Sequence, residues 1–342
     1  MNILIIGGTS FFGKDIVELA LEAGHKVNIC SRGNTRPDFW DRIQHIPVDR
    51  NDHQAFVSAI GDKCFDIVID NIAYTGDDVE SALEVFKGKI GRYLLTTSNV
   101  VYMGSGPFNV PLAEDDVDLD AAIALSSTDS SEPQLLEYAK GKVAAEKTLL
   151  AQREIPFTIL RPPNVQGPEE KTQRGQFYMQ RLLDGKPLIL TNGGSQPYQP
   201  IYRRDLARAF ILAMESTNAV NEVYNIAQSE SIPLIHWVRL LAKYLGVPMN
   251  TIGLPLEELE KADFQYAEPF VTGGATIRQN TAKARTQLGF EPTPITTWTA
   301  QTVEWYQQTK HGHDSPGYTD RPKEVAFASA VSDSKIKESK EI

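Results

Sequence analysis

Seven residues, Gly7-Gly8-Thr9-Ser10-Phe11-Phe12-Gly13, follow directly on the apolar run NILII and lead into a stretch of helical periodicity over residues 12–23. A buried strand that passes into a helix through glycines has few ways to fold. The N–H groups of the first helical turn have no partner within the helix and carry the positive end of its dipole, so such a turn is a seat for an anion. Glycines remove the Cβ atoms that would block close approach. Ser10 stands where a third glycine is usual, which implies a slightly wider seat. Gly24, just past the periodic stretch, ends the helix as its C-cap.

A glycine cluster alone also makes an ordinary tight turn, so the setting decides. After residue 24 come KVNIC, a helical stretch near 53–60, DIVIDNIA, another near 79–86, and YLLTTS. Strands that read as continuous apolar runs are buried on both faces, which predicts an α/β protein with a Rossmann-type doubly wound parallel sheet. In that setting Gly7, Thr9, Ser10, Phe11, Phe12 and Gly13 are expected to hold the pyrophosphate of a dinucleotide.

The residues after the second strand refine the cofactor. A carboxylate there would accept from the ribose 2′-OH of NAD, but this chain has Ser31 and Arg32. An arginine suits a 2′-phosphate, so NADP is favoured over NAD, the alternative being a solvated or adenine-stacking Arg32. Asp49, closing the third strand, is placed either to accept from the adenine amino group or to cap the next helix.

Farther on the pattern breaks. Residues 107–133 hold seven Asp or Glu, and no Lys or Arg occurs between Arg92 and Lys140. This reads as a loop or flap, either a plain solvated surface segment or a lid favouring a neutral or cationic substrate. A helix over 135–152 and the strand FTILRP resume the α/β order, and further helices are expected over 204–215, 235–245, 281–288, 297–308 and 320–330. The expected division is a dinucleotide-binding domain over 1–163, completed by 201–230. A smaller, mainly helical C-terminal substrate lobe takes 164–200 and 231–310, with a helical extension over 311–331 and a disordered tail over 332–342.

Composition excludes several classes. The net charge of −10 repels a phosphate backbone, so no nucleic-acid partner is expected. No apolar run approaches a membrane span, and the first residues flow into the fold without a secretory signal, so a cytoplasmic location with no membrane partner is expected. Cys30 and Cys64 read as free thiols of a reducing compartment rather than a bridge. His311 and His313 lack further ligands at metal spacing and read as loop residues, so no metal is expected.

Tyr138 and Lys142 lie four residues apart on a predicted helix and share one face. A nearby ammonium stabilises phenolate, which makes such a tyrosine a usable general acid or base. Ser98, in TTSNVVY, falls at the carboxyl edge of the sheet, where ligands of doubly wound folds bind, so its hydroxyl is available to orient a reacting oxygen. Taken separately, a surface Tyr–Lys contact and a turn serine are the plainer explanations.

Together these residues resemble the extended short-chain dehydrogenase/reductases, also called the NAD-dependent epimerase/dehydratase family. The glycine turn, Ser98 ahead of Val101-Tyr102, Tyr138 with Lys142, RPPNVQGP (161–168), Asp205 in RRDLARAF, and LGFEP with TVEWY occur in order. The resemblance implies that Ser98, Tyr138 and Lys142 are catalytic, that Gly7, Ser10 and Gly13 form the cofactor turn, and that Pro162, Asn164 and Val165 lie near the nicotinamide. It also implies a homodimer, a small-molecule substrate, and an NAD(P)-dependent oxidoreductase or epimerase acting at a carbinol or ketone carbon. Asn99 and Val100 stand where the family's dehydratases and decarboxylases carry acids, and Tyr198 stands where nucleotide-sugar members carry an arginine. Arg174, Arg181, Arg203 or Arg204 would have to supply that charge. The GGTSFFG, DRND and IAYT segments are most similar to an atypical branch that includes chloroplast stem-loop-binding proteins, so a non-catalytic nucleotide- or RNA-associated binding protein on the same fold is the rival expectation. Members of that branch often lose the tyrosine, which this chain keeps.

Overall fold

Side chains of a strand alternate between its two faces, and in the first strand both faces meet a core. In Asn2–Ile6 (β1), Ile3 and Ile5 pack with Ile16, Val17 and Phe210, while Leu4 and Ile6 pack with Phe56, Phe86 and Leu149. Six more strands join it: Lys26–Ser31 (β2), Gln44–Pro47 (β3), Phe65–Asp70 (β4), Ile90–Thr96 (β5), Phe157–Arg161 (β6) and Glu222–Asn225 (β7). Their order is β7-β6-β5-β4-β1-β2-β3, with every pairing parallel. Phe12–Glu22 (α1) and the helix Arg203–Glu215 cover one face; His53–Ile60 (α2), Gly76–Phe86 (α3) and the helix Pro133–Ala151 cover the other. This is the expected Rossmann-type sheet. The chain winds outward from β1 to β3 and returns to β4, so the carboxyl ends of β1 and β4 flank the crevice where strand order reverses.

The computed structural model describes residues 1–106, 108, 110–126, 133–261, 266, 268–269, 277–309 and 314–338, with side chains to residue 332. The chain forms two compact units. The first comprises Met1–Val165, Gln199–Ser229 and Ile277–Pro292; the second comprises Gln166–Tyr198, Glu230–Thr276 and Thr293–Ile342. The segment 277–292, grouped by sequence with the C-terminal lobe, belongs to the first unit because Ala284, Leu288 and Phe290 join the core on the face of the sheet covered by the helix Arg203–Glu215.

Local chemistry moves several boundaries. The first helix ends at Glu22 with Ala23 as its C-cap, and Gly24 follows at φ +78°, with His25 N–H bonding Ala20 O at 3.0 Å in the pattern that closes a helix through a left-handed residue. α3 begins three residues earlier than its apolar periodicity, because Thr75 and Asp78 form a capping box. The acidic stretch is not a plain loop: it contains a 3-10 turn at Glu114–Asp116 and a short helix, Leu119–Ala124 (α4), capped by Asp118 accepting from Ala121 N–H at 2.8 Å. The long helix Pro133–Ala151 is labelled α5 below.

The second unit is mainly helical, built on Arg174–Leu183, Leu234–Leu245 and Ile295–Gln308, with a parallel strand pair, Leu188–Thr191 and Thr251–Leu254. Trp237 anchors it, stacked on Tyr198 at 4.7 Å and edge-on to Tyr178 at 5.7 Å. The helix Arg321–Glu338 runs past residue 331, where fraying was expected, and is tied down by Glu324 accepting from the buried Arg181 and Arg321. His311, His313 and residues 339–342 lie outside the described residues. Among the described residues no helix is long and apolar enough to cross a membrane.

Candidate active site

The glycine turn is held by contacts that leave little choice of residue. Gly7 has φ +86°, and a Cβ at Gly13 would fall well inside contact distance of the Gly7 carbonyl oxygen, so the start of α1 presses directly on the turn. Gly13 N–H donates to Ser10 O at 3.1 Å, and Phe11 carries the unusual φ of 48° at the helix start, where no side chain caps the helix. A brace arrives from far along the chain. Arg203 donates from Nε to Asp15 Oδ2 at 2.6 Å and from Nη2 to Phe11 O at 3.1 Å. Glycines whose added Cβ atoms would collide with Ile72, Val17 and the Gly7 carbonyl keep the turn tight, and with a helix start that no side chain caps it fits the pyrophosphate of a dinucleotide.

At the end of β2, Ser31 exchanges contacts with His45: Ser31 Oγ lies 3.1 Å from His45 Nε2, and Gly33 N–H donates to the same hydroxyl at 3.3 Å. Arg32 is largely exposed, with its guanidinium 4.0 Å from Asp49. Such an exposed pair is weak and can yield to a ligand. Asp49 accepts from Asn51 N–H at 3.0 Å; the cap of α2 is Asp52, not Asp49.

The residues expected to react lie where β4, β5 and α5 meet. Lys142 is almost wholly buried, and its Nζ donates to Ala73 O at 2.8 Å, just beyond β4, and to Thr96 O at 3.0 Å, at the end of β5. Burial lowers its pKa to about 8. The Tyr138 ring is centred 5.9 Å from that ammonium. Ser98 follows Thr96 by two residues and opens the 3-10 turn Asn99–Tyr102, its Oγ accepting from Val100 N–H at 3.3 Å. Tyr138 and Lys142 are thus brought together, and Ser98 stands on the strand end whose carbonyl holds the lysine. Pro162 O accepts from Asn99 N–H at 2.9 Å, and Asn164 O accepts from Ile201 N–H at 3.1 Å, which sets residues 162–165 beside the same strand edge.

Several contributors escaped the sequence. Asp70, fully buried at the end of β4, accepts from Arg50 Nη1 at 2.6 Å and Tyr93 OH at 2.7 Å, a charged support beneath the site. Only the DRND stretch hinted at Arg50. Asn71 Oδ1 accepts from Thr96 Oγ1 at 2.7 Å and ties the ends of β4 and β5 together. Gly141, between Lys140 and Lys142, lets α5 close on the Tyr74 carbonyl, where a Cβ would collide. The arginines considered for diphosphate binding are largely engaged: Arg181 with Glu324, Arg203 with Asp15, Arg174 with Glu170. Tyr198 is buried against Trp237.

The acidic segment is anchored at its near end. Glu114 is buried and accepts from Asn225 N–H at 2.8 Å, and its own carbonyl takes Arg161 Nη1 at 2.8 Å. Asp116 accepts from Ala113 N–H, and Asp120 pairs with Lys147. Four of its carboxylates, Asp118 included, have structural work. Asp129 and Glu132 lie outside the described residues.

The profile of the NAD dependent epimerase/dehydratase family matches residues 3–227, about two thirds of the chain. Among curated relatives, the chloroplast stem-loop binding protein of 41 kDa b of Arabidopsis thaliana is 26% identical over 85% of this chain and 75% of its own length. A 3-beta-hydroxysteroid dehydrogenase of Mycolicibacterium neoaurum is 22% identical over 85% and 87%. Among solved structures, the dTDP-glucose 4,6-dehydratase of Bacillus anthracis in complex with NAD superposes with TM-score 0.71 at 18% identity, covering 90% of this chain and 97% of its own. The UDP-glucose 4-epimerase of Thermotoga maritima with UDP-glucose gives 0.70 at 19% identity, covering 90% and 99%. The parallel sheet, the glycine turn and the matched span together make the chain a member of the NAD dependent epimerase/dehydratase family, the group of nicotinamide-dependent dehydrogenases, reductases and epimerases.

Proposed function

We propose that the chain is an NADP(H)-dependent oxidoreductase or epimerase that moves hydride at a carbinol or ketone carbon of a small substrate, sugar-like substrates included. The observation that carries this reading is the buried Lys142 ammonium, held by two strand-end carbonyls and set against the Tyr138 ring. The glycine turn holds the pyrophosphate, Arg32 takes the 2′-phosphate in place of Asp49, and Pro162, Asn164 and Val165 border the nicotinamide. When bound, the dinucleotide supplies the ring that gives or accepts hydride. Tyr138 moves the hydroxyl proton of the substrate, Ser98 orients its oxygen, and the positive charge of Lys142 favours the phenolate. Net reduction, net oxidation and transient oxidation with epimerisation share this step. The protein works as a cytoplasmic homodimer in this reading.

Mass spectrometry of the denatured purified protein is expected to release NADP or NADPH. Tyr138→Phe is expected to slow turnover by roughly 10²- to 10⁴-fold while dinucleotide binding persists. Unchanged turnover in that variant would overturn the reading. A second reading, an RNA-associated binding protein on the same fold, is favoured by the similarity to the chloroplast stem-loop binding protein. Stem-loop binding that is indifferent to Tyr138→Phe, with no turnover of any carbonyl or carbinol, would decide for it.

A further inference from the structure

An ammonium has three N–H bonds, and Lys142 gives two of them to the carbonyls of Ala73 and Thr96. Two aromatic rings flank it besides. Tyr74 is centred 4.6 Å from Nζ and Tyr138 5.9 Å, and the two rings lie 6.3 Å apart, inclined at 53°. The nearer ring therefore belongs to a residue outside the Tyr-x-x-x-Lys spacing.

The Tyr74 backbone is fixed from both sides. Its N–H donates to Asp78 Oδ2 of α3 at 2.8 Å, and its carbonyl is pressed by α5 at Gly141. Yet the residue is 51% exposed, and Tyr138 beside it is 38% exposed. Two open aromatic rings in contact, one of them on backbone held by α3 and α5, form a built wall at the carboxyl edge of the sheet rather than a stray surface contact.

We propose that Tyr74 is a positioning residue of the reacting site, whose ring keeps Lys142 charged and directed and so sets the pH range in which Tyr138 can exchange its proton. This rests on the reading of Tyr138 and Lys142 as the reacting pair. Burial works against the ammonium, as does the Arg50 guanidinium, while the carboxylates of Asp70 on β4 and Asp78 on α3 favour it. Where water is excluded, the face of an aromatic ring is a substantial further support for a cation. Tyr74 itself stays a neutral phenol, held above its ordinary pKa by partial desolvation first and by Asp70 and Asp78 second.

The test uses the full chain carrying lysine labelled with ¹³C at Cε, with Lys142 identified by its absence from the Lys142→Arg spectrum. In the unaltered protein its signal is expected to titrate near 8. Tyr74→Leu keeps an apolar cover but removes the ring, so the midpoint is expected to fall by roughly half to one pH unit. The alkaline limb of the kcat/KM profile should move down with it. Tyr74→Phe keeps the ring and is expected to hold the midpoint. A midpoint unmoved in a folded Tyr74→Leu, or moved as far in Tyr74→Phe, overturns the proposal. A lowered midpoint with turnover indifferent to Tyr138→Phe would uphold the Tyr74–Lys142 contact and remove the reacting-pair reading beneath it.

Discussion

In the proposed function, cofactor choice turns on Arg32. Its guanidinium faces Asp49 across 4.0 Å in the open, so a 2′-phosphate would find a cation held only by a weak exposed pair. Replacing it with alanine is expected to weaken NADP binding roughly ten- to hundredfold, the range of one charge-assisted contact, while NAD binding changes little. Equal losses for both dinucleotides, measured by fluorescence titration, would assign Arg32 to the adenine instead. The nearness of Tyr138 to Lys142 and the place of Ser98 beyond β5 were legible because helix spacing and strand ends are both displayed by a sequence. Asp70 and Arg50 were not, since their pairing joins positions 20 residues apart and neither residue type marks burial. Gly141 was hidden for a different reason: a helical glycine signals close packing only once its neighbour is known.

At the scale of elements, α5 is rotated into place by an ion pair one turn beyond the lysine. Glu146 is fully buried and takes Arg161 Nε from β6 at 3.0 Å, while Arg161 Nη1 reaches Tyr102 OH and Glu114 O, both at 2.8 Å. Glu146 lies four residues past Lys142, so the clamp, Tyr138 and Lys142 share one face of the helix. Removing one partner leaves a buried charge uncompensated, and Arg161→Met is expected to cost about 3–5 kcal/mol in denaturant unfolding. A loss under about 1 kcal/mol would refute the clamp. Most elements could be read from periodicity, because a helix with one buried stripe or a strand buried twice repeats its pattern. The acidic segment could not, since its order comes from Glu114 reaching Asn225, 111 residues away, and charge density along the chain says nothing of that.

The whole molecule carries its own pH signature in the second unit. Glu268 is buried, accepting from Thr191 N–H at 2.9 Å and lying 3.2 Å from Tyr178 OH, which donates to Pro269 O at 2.8 Å. Burial pushes its pKa up from 4.5 to about 7. The folded state therefore binds this proton more tightly than the unfolded chain. That stabilisation is complete below about pH 4.5 and disappears as pH rises through about 7. Glu268→Gln is expected to flatten the curve and to raise stability at pH 8 by on the order of 2–3 kcal/mol, read from thermal or denaturant midpoints. A variant less stable than the parent at pH 8 would refute this.

The Arg203 brace has a consequence for how the protein comes to exist. Asp15 leaves the ribosome early, but the guanidinium that neutralises it follows 188 residues later. The anion seat is written in the first thirteen residues, yet its charge balance depends on a helix synthesised after more than half the chain. Under the proposed function, a chain cut before Arg203 carries the glycine turn without the guanidinium that faces Asp15, and is expected to bind a dinucleotide more weakly than the full chain in a fluorescence titration.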